Sequence, residues 1–133
     1  MTVNTLNKPY HDAAGRNELL LPFCASTGRA FWPPSPVSPF VTGGAVEWRA
    51  VKPQGMLRAR VIYRRGFLKD FDPLMPYGIG LVELADGPRL QAHIVGPDTD
   101  SAPRAGDTVR LAFEKLLDGV PILTARKIEL QGA

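Results

Sequence analysis

From Gly55 onward the chain alternates apolar and polar positions with a period of two. Leu57, Ala59, Val61 and Tyr63 are interleaved with Arg58, Arg60 and Arg64, the pattern of a strand with one face turned to a core. Tyr77–Leu84 (YGIGLVEL) is almost continuously apolar, as expected for a strand covered on both sides. Asp86-Gly87 then marks a tight turn, because glycine supplies the positive φ that hairpins need. Leu90, Ala92 and Ile94 face one way, with Gln91 and His93 on the opposite, polar face. Val109, Leu111 and Phe113 alternate with Arg110 and Glu114 after a turn at Ala105-Gly106-Asp107. Asp118-Gly119 precedes a last strand over Ile122–Leu130, with Pro121 at its start.

These segments predict five strands and no long helix. A small β-barrel is the economical architecture, since closure removes exposed strand edges. An SH3-like barrel or a small sandwich also fits the strand count. The connection Gly66–Pro76 carries Phe67, Leu68, Phe71, Leu74 and Met75, more apolar than a solvated loop requires.

The first part of the chain reads differently. Residues 1–18 are polar, with room for one short helix around His11–Glu18. Residues 19–52 hold short apolar runs and dense proline: Pro33, Pro34, Pro36 and Pro39. Proline has no amide donor and a fixed φ, so Trp32–Phe40 is neither helix nor central strand. Leu19–Phe23 and Gly28–Trp32 suit a small hairpin around Cys24–Thr27. The chain thus divides into 1–18, a small module at 19–52, and a barrel at 53–133.

Composition adds limits. The 133 residues are 44% hydrophobic and 22% charged, with a net charge of +3, which is ordinary for a globular chain and too weakly basic to announce nucleic acid. A lone cysteine, Cys24, excludes an intrachain disulfide. No apolar run approaches a membrane span and the N-terminus has no apolar signal core, so the expected location is the cytoplasm.

Cys24, Thr27, Ser38 and Val41 have the spacing of two metal knuckles, with two, ten and two residues between successive positions. Tetrahedral zinc takes four ligands from two such turns, and here one position is a cysteine. Around this spacing, Gly28, Pro33, Pro34, Pro39, Glu47 and Trp48 follow a Leu-rich start. Gly55, Pro76-Tyr77, Val82-Glu83-Leu84 and Gly106 follow in the barrel half. In this order the stretch 19–128 resembles the acyl-CoA-associated OB-fold family, domain of unknown function 35.

The resemblance implies a mainly β fold: a five-stranded OB barrel behind a rubredoxin-like zinc ribbon, here degenerate and without metal. It implies a non-catalytic partner of a thiolase, acyltransferase or thiolase-fold aldolase, one that helps shape an acyl-CoA site within a hetero-oligomer. Coenzyme A or acyl-CoA would then be shared with that partner and not tightly held. No zinc is expected. In its place, packing of Phe23, Phe31, Trp32, Phe40 and Trp48 is expected to hold the ribbon, since each buried aromatic removes roughly 150–250 Å² from water.

Arg58, Arg60, Arg64, Arg65 and Lys69 are candidates for coenzyme A phosphates, because arginine binds phosphate bidentately. A solvated strand face or a charged interface rim explains the same run. Phe67, Phe71, Leu74 and Met75 are candidates for docking a partner, or for plugging the barrel end. His11, His93 and Tyr77 fall in no catalytic arrangement, and Cys24 has no base beside it. The alternative function for an OB barrel is single-strand nucleic-acid binding.

Overall fold

The computed structural model describes residues 5–64, 76–85, 87–117 and 119–128. A short helix, α1 (Lys8–Ala14), leads into β1 (Leu20–Cys24) and β2 (Val46–Ala50). The barrel follows as β3 (Gln54–Tyr63), β4 (Tyr77–Leu84), β5 (Arg89–Val95), β6 (Thr108–Leu117) and β7 (Val120–Lys127).

The helix starts three residues earlier than its sequence suggests and stops before Asn17, which takes a left-handed φ of 54°. Asparagine tolerates that conformation better than most residues. The pairing of β1 with β2 is the main difference from the expected hairpin. Leu20 lies opposite Ala50 and Cys24 opposite Val46. The segment after Gly28 keeps only one bridge to β1, between Phe23 and Ala30. Gly28 itself has φ 71°, which lets the chain turn back there.

The barrel closes in the order β3-β4-β5-β7-β6, with β3 meeting β6. All pairs are antiparallel apart from β5 with β7. The five expected strands are present. The last one runs over Val120–Lys127, earlier than expected. Leu57, Val82, Ile94, Val109 and Leu111 form the fully buried centre of the barrel. Leu19, Leu21, Phe23 and Ala30 belong to the same apolar cluster. The ribbon module and the barrel therefore share one core.

A bulge in β3 decides where the basic residues point. Leu57 pairs with Val82, but Ala59 already pairs with Leu81, leaving Arg58 as the extra residue. One inserted residue reverses the facing of everything after it. Val61, an expected core residue, is consequently 57% exposed. Arg60 and Ile62 instead lie opposite Gly80 and Gly78 on β4. Gly80 has no room for a side chain: a Cβ there would stand 2.6 Å from Leu57 Cδ1 and 3.1 Å from Ile94 Cδ1.

The seam between β3 and β6 is short, joining Gln54–Met56 to Thr108–Arg110. Beyond it, the β6 edge is closed by other parts of the chain. Leu111 donates its amide to the Pro53 carbonyl at 2.7 Å. Phe113 donates its amide to Asn17 Oδ1 at 2.9 Å.

Candidate functional site

The turns that follow Cys24 and Ser38 share one pattern of contacts and gather no full set of metal ligands among the described residues. Cys24, the last residue of β1, has its thiol set among the Ser26 and Thr27 amides and the Ser38 and Thr27 hydroxyls. In the second knuckle, Phe40 and Val41 donate their amides to Ser38 Oγ at 3.0 and 3.3 Å. The two turns repeat one scheme, in which the amides two and three residues on serve the side chain of the first residue. Cys24 and Ser38 are both buried. The donors, chiefly the Ser38 hydroxyl, bring the Cys24 pKa down to about 7, because they stabilise the thiolate.

Thr27 and Ser38 thus meet Cys24 where a ribbon would gather its ligands. Val41, at the fourth position, offers no donor atom and is 36% exposed. Among the described residues no group of three or more His, Cys, Asp or Glu could hold a metal. Hydroxyls are poor zinc ligands beside thiolates, so the donor set does not fit a structural zinc.

Aromatic packing supports the module in part. Phe31 and Phe40 meet edge to face at 6.2 Å, and the Arg29 guanidinium lies 4.0 Å over the Phe40 ring. Arg49 approaches the Phe23 ring at 5.2 Å. Trp32 turns the other way and packs on Tyr10 of α1 at 4.9 Å, and Tyr10 in turn meets Phe113 of β6 at 5.5 Å. Burial pushes the Tyr10 phenol up to about 12. The thiol–hydroxyl contact had no aromatic signal to announce it; the Ser and Thr at ligand spacing were the available sign.

The basic run is dispersed by the bulge. Arg58 is paired with Glu83 of β4, which Arg89 approaches at 4.0 Å. Arg60 reaches the β5–β6 connection and donates to the Pro97 and Pro103 carbonyls, both at 3.1 Å. Arg64 grips Asp98 in the same connection with two hydrogen bonds, at 2.7 and 2.9 Å, and these hold the Asp98 pKa below the ordinary carboxylate value. Arg60 and Arg64 are straps for residues 96–104. A phosphate would have to compete with the partners each of these three arginines already has. Arg65 and Lys69 lie outside the described residues, as do Phe67, Phe71, Leu74 and Met75.

His93, expected on a solvated face, is buried and 3% exposed. It stacks on Tyr77 at 5.1 Å, and Tyr77 stacks on Tyr63 at 5.2 Å. Burial lowers the imidazole pKa, while the Glu114 carboxylate acts in the opposite direction. His11 lies in α1 with its ring 5.3 Å from Tyr10. Neither histidine stands beside Cys24 in a nucleophile–base arrangement, and the described residues present no catalytic set.

A family model for the ChsH2 C-terminal OB-fold domain matches residues 48–114. The chain belongs to this family. The barrel that the match covers in large part is the element whose strand order and closure are described above. Over its whole length the chain is also similar to a solved structure described as "Ltp2-ChsH2(DUF35) aldolase", with 24% identity and a TM-score of 0.80. That likeness spans 96% of this chain and 98% of the other, so the shared fold includes the ribbon module. No curated protein matches.

Proposed function

We propose that this ChsH2-like OB-fold protein is a non-catalytic subunit that docks on a thiolase-like enzyme and helps shape its acyl-CoA site. The observation that carries the reading is the whole-length likeness to a chain of the Ltp2-ChsH2(DUF35) aldolase. The tip of the turn after Ser38 supports it, where Val37 is 51% exposed and Phe40 and Val41 are each 36% exposed. Apolar side chains gathered at an exposed tip mark an interaction surface.

Coenzyme A or an acyl-CoA belongs to this proposal as a ligand shared across the interface. Since Arg58, Arg60 and Arg64 hold intramolecular partners, their contribution is to shape the barrel wall and the 96–104 connection as well as to supply positive charge. Arg65, Lys69 and the apolar residues Phe67, Phe71, Leu74 and Met75 remain proposed contacts. Single-strand binding requires aromatic faces open to bases, and Tyr77 and His93 are 6% and 3% exposed.

Co-expression with a thiolase-like protein of the same organism, followed by size-exclusion chromatography, tests the proposal. A co-eluting complex is expected, weakened by Phe40→Asp at the knuckle tip. A folded chain that elutes alone from every such mixture refutes it.

A further inference from the structure

A cleft of about 450 Å³ runs along the β6 edge where the ribbon side of the chain meets the barrel, lined by Asn17, Pro53, Arg110, Leu111, Glu114 and Arg126 among others. Arg110 and Arg126 are direct cross-strand partners there. Like charges placed opposite each other destabilise a sheet, and one carboxylate relieves the pair. Glu114 takes two hydrogen bonds from Arg126, both at 2.8 Å, and a third from the Thr124 hydroxyl. Its pKa is lowered chiefly by Arg126, so it is ionised at neutral pH. Two guanidinium groups against one carboxylate leave one positive charge in the cleft.

The donors left over have a definite arrangement. The Arg110 guanidinium makes no hydrogen bond or ion pair with the described residues. Arg126 uses Nε and one Nη on Glu114, leaving its other Nη. Asn17 presents Oδ1 to the Phe113 amide, which leaves the Nδ2 donor available to the cleft. The left-handed backbone of Asn17 and that bond fix the side chain in place. Donors therefore come from three separate residues on two modules, around a floor of Pro53, Leu111 and Ala112.

We propose that this cleft binds a phosphate monoester, with Arg110 as the principal contact and Asn17 Nδ2 and Arg126 completing the set. A phosphate offers three terminal oxygens and up to two negative charges, and a planar guanidinium can engage two of those oxygens at once. A carboxylate carries one negative charge and two oxygens in one plane, against up to two charges and three oxygens arranged around phosphorus, so it meets three donor residues on two modules with less charge and a poorer geometry. The site is separate from the basic run on β3 and does not depend on the docking proposal.

The test uses the full chain, isotope-labelled, titrated with inorganic phosphate at pH 7 and constant ionic strength. Chemical-shift changes are expected at the Asn17 side chain, the Phe113 amide and the Arg110 guanidinium. Arg110→Ala is expected to weaken the apparent affinity at least tenfold, and Arg110→Lys by less. Asn17→Asp keeps an acceptor for Phe113 while placing a charge in the cleft, and is expected to weaken phosphate to a similar degree with the fold intact. Acetate at matched ionic strength is expected to shift these resonances little. Shifts spread evenly over the basic surface, an unchanged affinity in well-folded Arg110→Ala, or acetate binding as strongly as phosphate would each overturn the assignment.

Discussion

Removing the Ser38 hydroxyl tests whether the knuckle scheme holds the ribbon together. In Ser38→Ala the Phe40 and Val41 amides lose their shared acceptor, at 3.0 and 3.3 Å in the native chain, and Cys24 loses its strongest hydroxyl donor. A typical hydrogen bond contributes about 0.5–1.5 kcal/mol net, and a donor left unsatisfied in a buried site costs about 1–3 kcal/mol. Phe40 and Val41 stand partly open to water, which favours the lower part of that range. The expected loss is about 2 kcal/mol. At about 2.1 cal/mol/K of unfolding entropy per residue, this corresponds to roughly 7 °C in Tm for a chain of this size.

The same substitution has a second readout. With its largest stabilising contact removed, the thiolate of Cys24 becomes less favourable and its pKa rises from about 7. Thiolate absorbance or alkylation rate against pH follows that shift directly. The folded pKa lies below the ordinary thiol value, so the thiol's contribution to stability is complete above that ordinary value. It is lost as pH falls through about 7. In Ser38→Ala this slope flattens. A variant that melts with the native protein and keeps its thiol titrating near 7 would refute the scheme.

Other perturbations address other parts of the structure. Thr27→Cys, Ser38→Cys and Val41→Cys together are expected to create a site for one zinc ion, seen by elemental analysis and a chelator-sensitive melt; the native chain is expected to carry no zinc and to melt alike with and without chelator. Stoichiometric zinc in the native protein would reverse that expectation. Gly80→Ala drives a methyl against Leu57 and Ile94 and is expected to cost about 1–3 kcal/mol by overpacking, measured by chemical denaturation; a neutral result would mean that β4 lies farther from the core. Glu114 has its folded pKa depressed by Arg126, so its stabilising contribution is present above the unfolded carboxylate value and lost as pH falls through the folded one. Glu114→Gln is therefore expected to lower stability at pH 7 and to reduce the loss between pH 5 and 3, read from urea midpoints.

The barrel was legible because strands with one buried face write their period into the chain. Gly87, Gly106 and Gly119 all sit at positive φ where turns were expected. The bulge at Arg58 left no mark in composition, and it alone moved Val61 outward and carried Arg60 inward. β2 was missed although Val46–Ala50 alternates apolar and charged residues, because the run is only five residues long, follows a stretch dense in proline and glycine, and has no fully buried position. His93 looked like a surface residue because its neighbours in sequence, Ala92 and Ile94, fill the core. Its burial comes from elsewhere, in part from Tyr77, sixteen residues away. The Cys24–Ser38 contact was visible as spacing and not as chemistry.

The seam of the barrel has a consequence for how the two modules could ever be separated. A strand edge with free amides recruits other chains, and β6 presents such an edge beyond Arg110. Here Pro53 and Asn17 occupy it. Asn17, which ties the first part of the chain to β6, thus also covers an amide through which the barrel could self-associate. A barrel cut loose at residue 53 would lose the Asn17 cap and uncover its own half of the core it shares with Leu19 and Leu21, so it should precipitate or pair with its own kind. The segment that carries Asn17, Leu19 and Leu21 is in this sense the barrel's guard against aggregation.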